Sequence, residues 1–177
     1  MKKSSVHFFY ILSLAIYLFI LSVGNSYAMN LTEDQINNMT FKFSTGDEIA
    51  FTDGKSEYTR DPKAPHRSHR IEKIALGSLT NEGTAEAAVI LLDQPEGACE
   101  FHELTALINN WDGTTVQTRP IELGNRIIIK SMIIKKGVII IDMLTHRSND
   151  ALCCPTRHIT KKFKIKDNQI VDIILIE

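Results

Sequence analysis

The amino-acid sequence predicts a mainly β fold. It reads as an antiparallel meander of about ten short strands, arranged as a sandwich, a barrel or a curled sheet, with one short N-terminal helix. Three observations carry this reading. Turn-forming residues recur every 8–12 positions through most of the chain. Between them, apolar and polar residues alternate with a period of two, which places one set of side chains on each face of a strand. A capped helix start is found near residue 31, just before the period-two pattern begins.

The helix is placed over residues 31–39. The Thr32 hydroxyl can accept from an otherwise unpaired backbone N–H, and Gln35 completes a capping box. Leu31 and Ile36 stand at the two positions of a hydrophobic staple. Asn37 and Asn38 keep the helix short. Thr40–Ser44 then alternates, Gly46-Asp47 turns, Glu48–Thr52 forms a partner strand and Asp53-Gly54 turns again. Residues 55–68 are polar, contain two prolines and are expected to form a long surface loop.

Further strands are expected at Arg70–Leu79, Ala85–Leu92 and Phe101–Trp111, with turns at Asn81-Glu82-Gly83, Pro95-Glu96-Gly97 and Asp112-Gly113. Thr114–Leu123, Arg126–Ile134, Val138–Thr145, Arg157–Lys166 and Ile170–Ile176 complete the series. Val138–Ile141 and Ile170–Ile176 are apolar on both faces. They are therefore expected to be central strands or to lie under the N-terminal helix. Lys162, Lys164 and Lys166 share one face, which reads as a solvated or protected edge. Phe51, Tyr58, Phe101 and Trp111 read as ordinary core aromatics rather than a ligand groove.

Residues 1–28 have the three parts of a signal peptide. Lys2 and Lys3 give a positive start, Phe8–Val23 is an uncharged apolar run of 16 residues, and Ser26-Tyr27-Ala28 places small residues at −3 and −1. The run is shorter than the ~20 residues of a spanning helix. Cleavage after Ala28 and export to the periplasm or the medium are expected. Met29 stands where a lipid anchor would require cysteine.

The expected mature chain, 29–177, is one β-rich domain of 149 residues with 18 basic and 21 acidic side chains, net −3. That balance gives no electrostatic basis for nucleic-acid binding. Nothing after Val23 is long and apolar enough to span a bilayer as a helix.

Two stretches resemble a group of uncharacterised exported bacterial proteins. Gly77–Val89 (GSLTNEGTAEAAV) is similar to that group's G-D-L-N-G-D-G-x-x-D-A-A-V, itself similar to the calcium-type loops of FG-GAP propeller repeats. The aligned ligand positions hold Ser78, Thr80, Glu82 and Glu86. A calcium loop needs several charged oxygens close together, and two carboxylates on long side chains are a poor set. Ser78–Glu86 is therefore read as a β-turn, and no cofactor is expected.

Asp142–Thr156 (DMLTHRSNDALCCPT) matches D-M-x-T-H-x(3)-D-x-x-C-C-P-T, with Leu123-Gly124-Asn125-Arg126-Ile127 as the group's upstream L-G-D-R-V element. The resemblance implies export and a shared fold, and no activity.

The candidate functional loop is accordingly Asp142, Thr145, His146, Asp150, Cys153, Cys154 and Pro155. Cys99, Cys153 and Cys154 make an odd number of thiols for an oxidising compartment. Two pairings stand open. A bridge from Cys99 to the Cys-Cys loop would be unstrained. A vicinal bridge would hold its Cα atoms ~3.8 Å apart, below the ordinary ~4.4–6.8 Å. The resemblant group keeps the Cys-Cys pair without an equivalent of Cys99, which favours the vicinal bridge.

His146 is read as a loop-stabilising side chain bonded to backbone carbonyls, with Asp142 and Asp150 as its companions. No catalytic set is assigned. For a metal, His66 and His69 offer two imidazoles that His146 could join only through folding, and the spacing is no ligand pattern. The expectation is an exported, non-enzymatic binding domain of the cell envelope, taking another envelope protein or a small ligand. The alternative is a metal- or redox-responsive protein built on His146, Cys153 and Cys154.

Overall fold

The structure, a computed structural model, describes residues 30–57, 67–80, 85–95, 99–110, 112 and 114–173. The expected leader and the Asn81–Gly83 turn lie outside these residues, as do Tyr58, His66, Trp111 and the end of the last predicted strand. Among the described residues no helix is long and apolar enough to cross a membrane.

The fold is mainly β, with twelve described strands in antiparallel sheets and one short helix. Helix α1 (Glu33–Asn37) starts with the expected capping box. Gln35 N donates to Thr32 Oγ1 at 3.2 Å, and Thr32 N donates to Gln35 Oε1 at 3.0 Å. Strands β1 (Thr40–Lys42) and β2 (Glu48–Ala50) form a hairpin.

A second sheet contains β3 (Lys55–Glu57), β4 (Arg67–Gly77), β5 (Glu86–Pro95) and β6 (Phe101–Asn109) in that order. The far side of β6 carries both β7 (Thr115–Gln117) and β8 (Ile121–Asn125). The third sheet is a meander of β9 (Ile128–Lys135), β10 (Val138–Thr145), β11 (Arg157–Lys166) and β12 (Gln169–Asp172), side by side in chain order. The sheets remain open and do not close into a barrel.

These sheets stack in three layers. On β5, Ala88 and Ile90 join a core with Ile139, Ile141, Met143 and Phe163 of the third sheet. The alternate residues Ala87, Val89 and Leu91 face the other way, against Ile36, Phe41, Phe43, Ile49 and Phe51 of the helix and hairpin. The middle sheet is thus covered on both faces. The Ala-Ala-Val-Ile-Leu-Leu run of β5 is the composition that this position requires.

The expectation of a central strand holds for Val138–Ile141, and the expectation for Ile170–Ile176 is corrected over its described residues, 170–173. The helix lies over the middle sheet. β10 is interior to the third sheet but buries chiefly one face, through Ile139, Ile141 and Met143. β12 pairs with β11 and leaves Val171 exposed, as an edge strand does.

The expected loop at 55–68 is also corrected. Lys55–Glu57 is β3, paired with Ser68–Arg70, and Arg67 opens β4 opposite Pro95, so only 58–66 lies outside the description. Thr114–Leu123 proves to be two strands. Thr118 closes the gap between them, with its N–H donating to Ala106 O at 2.8 Å and its Oγ1 accepting from Ala106 N at 2.9 Å. Pro120 has no N–H to give the ladder and sits at the resulting irregularity. Lys162, Lys164 and Lys166 lie on β11, inside the sheet rather than at its edge, and form part of its solvent-facing side.

Turn chemistry accounts for the hairpins. Asp53-Gly54, Lys136-Gly137 and Asp167-Asn168 all have positive φ at both residues, between 51° and 75°. This twist matches paired strands in two-residue turns. At Gly54 a side chain would also collide, because a Cβ would lie 2.9 Å from Asn37 Oδ1. The close approach lets Gly54 N donate to Asn37 O at 2.9 Å while Gly54 O accepts from Ile71 N at 2.8 Å. The turn thereby ties the end of α1 to β4. A side-chain clamp adds to this: Lys42 N donates to Gln117 Oε1 at 2.9 Å, and Gln117 Nε2 donates to Lys42 O at 2.8 Å.

Because Leu91 and Ile141 belong to different interlayer cores, Leu91→Ala and Ile141→Ala should each cost ~2–5 kcal/mol. Together they should add to within ~0.5 kcal/mol. Urea unfolding of the two single variants and the double variant measures this; strong coupling would show that the cores act as one.

Candidate functional site: the vicinal cysteine loop and its cleft

The loop between β10 and β11 is organised around Asp150. Its carboxylate accepts from Arg147 N, Thr156 N and Thr156 Oγ1, each at 2.8 Å. These bonds to the charged form lower its pKa, led by the Arg147 backbone N–H; desolvation opposes them, and nearby His146 adds a smaller push in the lowering direction. A single side chain thus fastens both ends of the loop. Cys154 N donates to Ala151 O at 2.9 Å, Pro155 is buried and Leu152 is 69% exposed. Cys153 and Cys154 form a close pair, with Cα atoms 3.8 Å apart.

His146 leaves the end of β10 and places Nε2 3.1 Å from the backbone oxygen of Arg126. Asp142 is directed elsewhere. It accepts from Thr160 Oγ1 at 2.5 Å and from Ser131 Oγ at 3.1 Å, on the two neighbouring strands. Those hydroxyls lower its pKa, with Thr160 the larger influence. Asp142 is therefore a cross-strand tie on the solvent face of the third sheet. Thr145 closes β10 opposite Arg157.

Beside the loop lies a cleft of about 420 Å³ lined by Glu100, Arg126, Ile127, Ile128, Leu152 and Cys153. Arg126 links its parts. Its N–H donates to Glu100 O at 2.8 Å, its carbonyl meets His146, and its guanidinium donates to Cys99 Sγ at 3.2 Å. Cys99 carries a free thiol. The structure thus brings the segment holding Cys99 to the cysteine loop through Arg126, which the residue pattern alone does not show.

The other predicted residues lie apart from this cleft. His69 is not on a solvated loop, as expected from its proline-containing surroundings. It lies on β4, opposite Asp93 on β5, because the alternation that begins at Arg67 points it inward with Ile71. Its ring is 5.0 Å from that of Phe43, and Nε2 is 3.4 Å from Asp93 Oδ1. Among the described residues no three His, Cys, Asp or Glu side chains converge as a metal site would need.

At Ser78–Glu86, the described residues are tied together by Glu86, which is fully buried. Its carboxylate accepts from Leu79 N and Thr80 N at 2.7 Å and from Thr80 Oγ1 at 2.9 Å. The loop's own N–H and O–H groups therefore occupy the oxygens that the resemblance aligned with a ligand.

Sequence reasoning missed a polar cluster under the hairpin, in which His69, Asp93 and Glu103 are buried and Arg67 is half-buried. Arg67 Nε donates to Asp93 Oδ1 at 2.6 Å, and a second guanidinium nitrogen reaches Oδ2. Glu103 accepts from Ser44 N at 2.9 Å and from the Ser44 hydroxyl. Elsewhere His102 Nε2 lies 2.9 Å from Glu72 Oε2. The signal for His69 was present in the period-two spacing of Arg67, His69 and Ile71. The pairings needed the strand register.

No protein-family model, curated protein or solved structure matches this chain.

Two measurements follow from these buried groups. Glu86→Ala strands two backbone N–H groups and should cost ~2–4 kcal/mol, with Glu86→Gln costing less because an amide oxygen still accepts; denaturant unfolding of both variants tests the order. Burial lowers the pKa of His69; Asp93 opposes this and Arg67 adds to it. The unfolded chain then binds a proton near pH ~6.5 that the native chain refuses. Stability contributed by neutral His69 is complete above that pH and falls as the pH drops toward the lowered native value, by at most ~1.4 kcal/mol per pH unit. In urea midpoints between pH 7 and 5, His69→Gln should flatten this slope; an unchanged slope would assign the effect to other groups.

Proposed function

We propose that this chain is an exported, non-enzymatic binding domain of the bacterial cell envelope, and that it binds through the cleft beside the cysteine loop. The export reading is supported by the three-part leader at residues 1–28 and by the resemblance at 77–89 and 142–156. In the oxidising compartment which that leader implies, the close pair Cys153–Cys154 is read as a disulfide.

One observation carries the choice of surface. Leu152 stands 69% exposed on a loop fastened by Asp150, at a cleft that also contains Ile127 and Ile128. An exposed apolar anchor on a fixed loop suits binding. The cleft volume of about 420 Å³ lies in the range that takes a small ligand or the anchoring side chain of another envelope protein. With net charge −3 after loss of the leader, nucleic acid is not the partner proposed. The redox side of the alternative reading draws support from the Cys99 thiol held by Arg126 at the same cleft.

A photo-crosslinking residue at Leu152 should yield discrete adducts in cells exporting the chain, and Ile128→Asp should reduce them about tenfold or more. The same probe at Lys164, on the solvent face of β11, should yield none. Equal labelling at both positions would rule out the cleft. Retention of the chain in the cytoplasm with Met1 intact would rule out export.

A further inference from the structure

We propose that Cys99 and the Cys153–Cys154 disulfide form an internal thiol–disulfide switch, which moves the bridge across the cleft to Cys99–Cys153. This rests on the reading of Cys153–Cys154 as a disulfide. Three features of the cleft point to it. Cys99 is a free thiol with the Arg126 guanidinium donating to its sulfur at 3.2 Å. The attacking species in disulfide exchange is the thiolate, and a permanent cation at hydrogen-bond distance is placed to hold that charge. The nearest acidic neighbour in sequence, Glu100, has Oε1 3.7 Å from Arg70, so its charge is partly met by a different cation.

The second feature is the position of the target. Cys153 lines the cleft together with Arg126 and Glu100, the residue next to Cys99. Arg126 bonds the Glu100 backbone on one side and meets His146, at the base of the cysteine loop, on the other. Thiol and target therefore sit on two segments fixed to the same residue.

The third is the direction of exchange. Adjacent cysteines hold their Cα atoms 3.8 Å apart, whichever way their side chains turn. Relaxed bridges span ~4.4–6.8 Å. A bridge between Cys99 and Cys153, 54 positions apart, carries no such constraint.

The step is balanced without an external oxidant. Cys99 gives up its proton to water, and its thiolate attacks Sγ of Cys153. The Cys99–Cys153 bond forms as the Cys153–Cys154 bond breaks. The electron pair leaves on Cys154 Sγ, which takes up a proton. One disulfide and one thiol are present before and after. Because Cys153 belongs to the cleft wall, the new bridge draws that wall toward the Cys99 segment and closes the proposed binding surface.

The test is a time-resolved disulfide map of the full exported chain. Protein held at pH 5 is shifted to pH 8.5, quenched with acid, alkylated without reduction and digested for mass spectrometry. The expected result is a vicinal bridge with alkylated Cys99 at the start, giving way to Cys99–Cys153 with alkylated Cys154. Arg126→Gln should slow the conversion about tenfold, as loss of a charge-assisted contact does, and Arg126→Lys should restore most of the rate. In Cys154→Ser, mild oxidation should join Cys99 to Cys153.

A vicinal bridge that persists with Cys99 alkylated at every time would overturn the switch and leave the disulfide reading intact. Three alkylated thiols, or a Cys99 bridge with no vicinal precursor, would overturn both.

Discussion

β5 and β6 have water on neither face. Most of the architecture follows from that condition. A strand covered on both sides must satisfy its backbone N–H and C=O groups within its own sheet, and it gains from apolar side chains in both directions. β5 meets the condition by pairing with β4 on one side and β6 on the other while its side chains divide between two cores. The third sheet supplies one cover. The short helix and the β1–β2 hairpin supply the other, too small to stand alone without a packed face beneath them.

Burial on both faces also determines where polar side chains are tolerated. Each one inside carries its partner with it. Asp93 is met by Arg67 in a two-pronged contact, Glu103 is bonded by Ser44, and Glu86 is held by the backbone of Leu79 and Thr80. A charge placed there without such a partner would cost several kcal/mol. These groups specify how the hairpin and the turn dock, whereas the apolar residues around them supply most of the attraction.

The parts of the fold legible in the amino-acid order are those whose cause is local. Val138–Thr145 and Arg157–Lys166 were readable to the residue, because alternation and the turn residues that bound these strands lie within a few positions of each other. The capping box at Thr32 and Gln35 is equally local. The start of β4 was hidden, since Arg67 and Ser68 become strand by pairing with Pro95 and Gln94, 28 and 26 positions away, and Ser68 with Glu57 across the proline-containing segment. Pro120 marks the break between β7 and β8, but the alternation of the residues around it hides that break in the sequence. The cysteine loop stood out as a unit by composition. Its connection to Cys99 through Arg126 spans 20 to 27 positions and depends on how the middle and third sheets pack.

The Gln117 side chain copies a peptide group. Its amide oxygen and nitrogen engage Lys42 as a neighbouring strand's backbone would, although the hairpin and the middle sheet share no ladder. Lifting this outer layer would break a few ties, among them Gln117 to Lys42, Ser44 to Glu103 and Ile71 N to Gly54 O, and would leave the ladders of β4, β5 and β6 intact. Lifting would admit water to Asp93 and His69, beside the already part-exposed Arg67. Acid, by favouring a charged imidazole, and mechanical detachment of the hairpin would then be two routes to the same partly opened molecule.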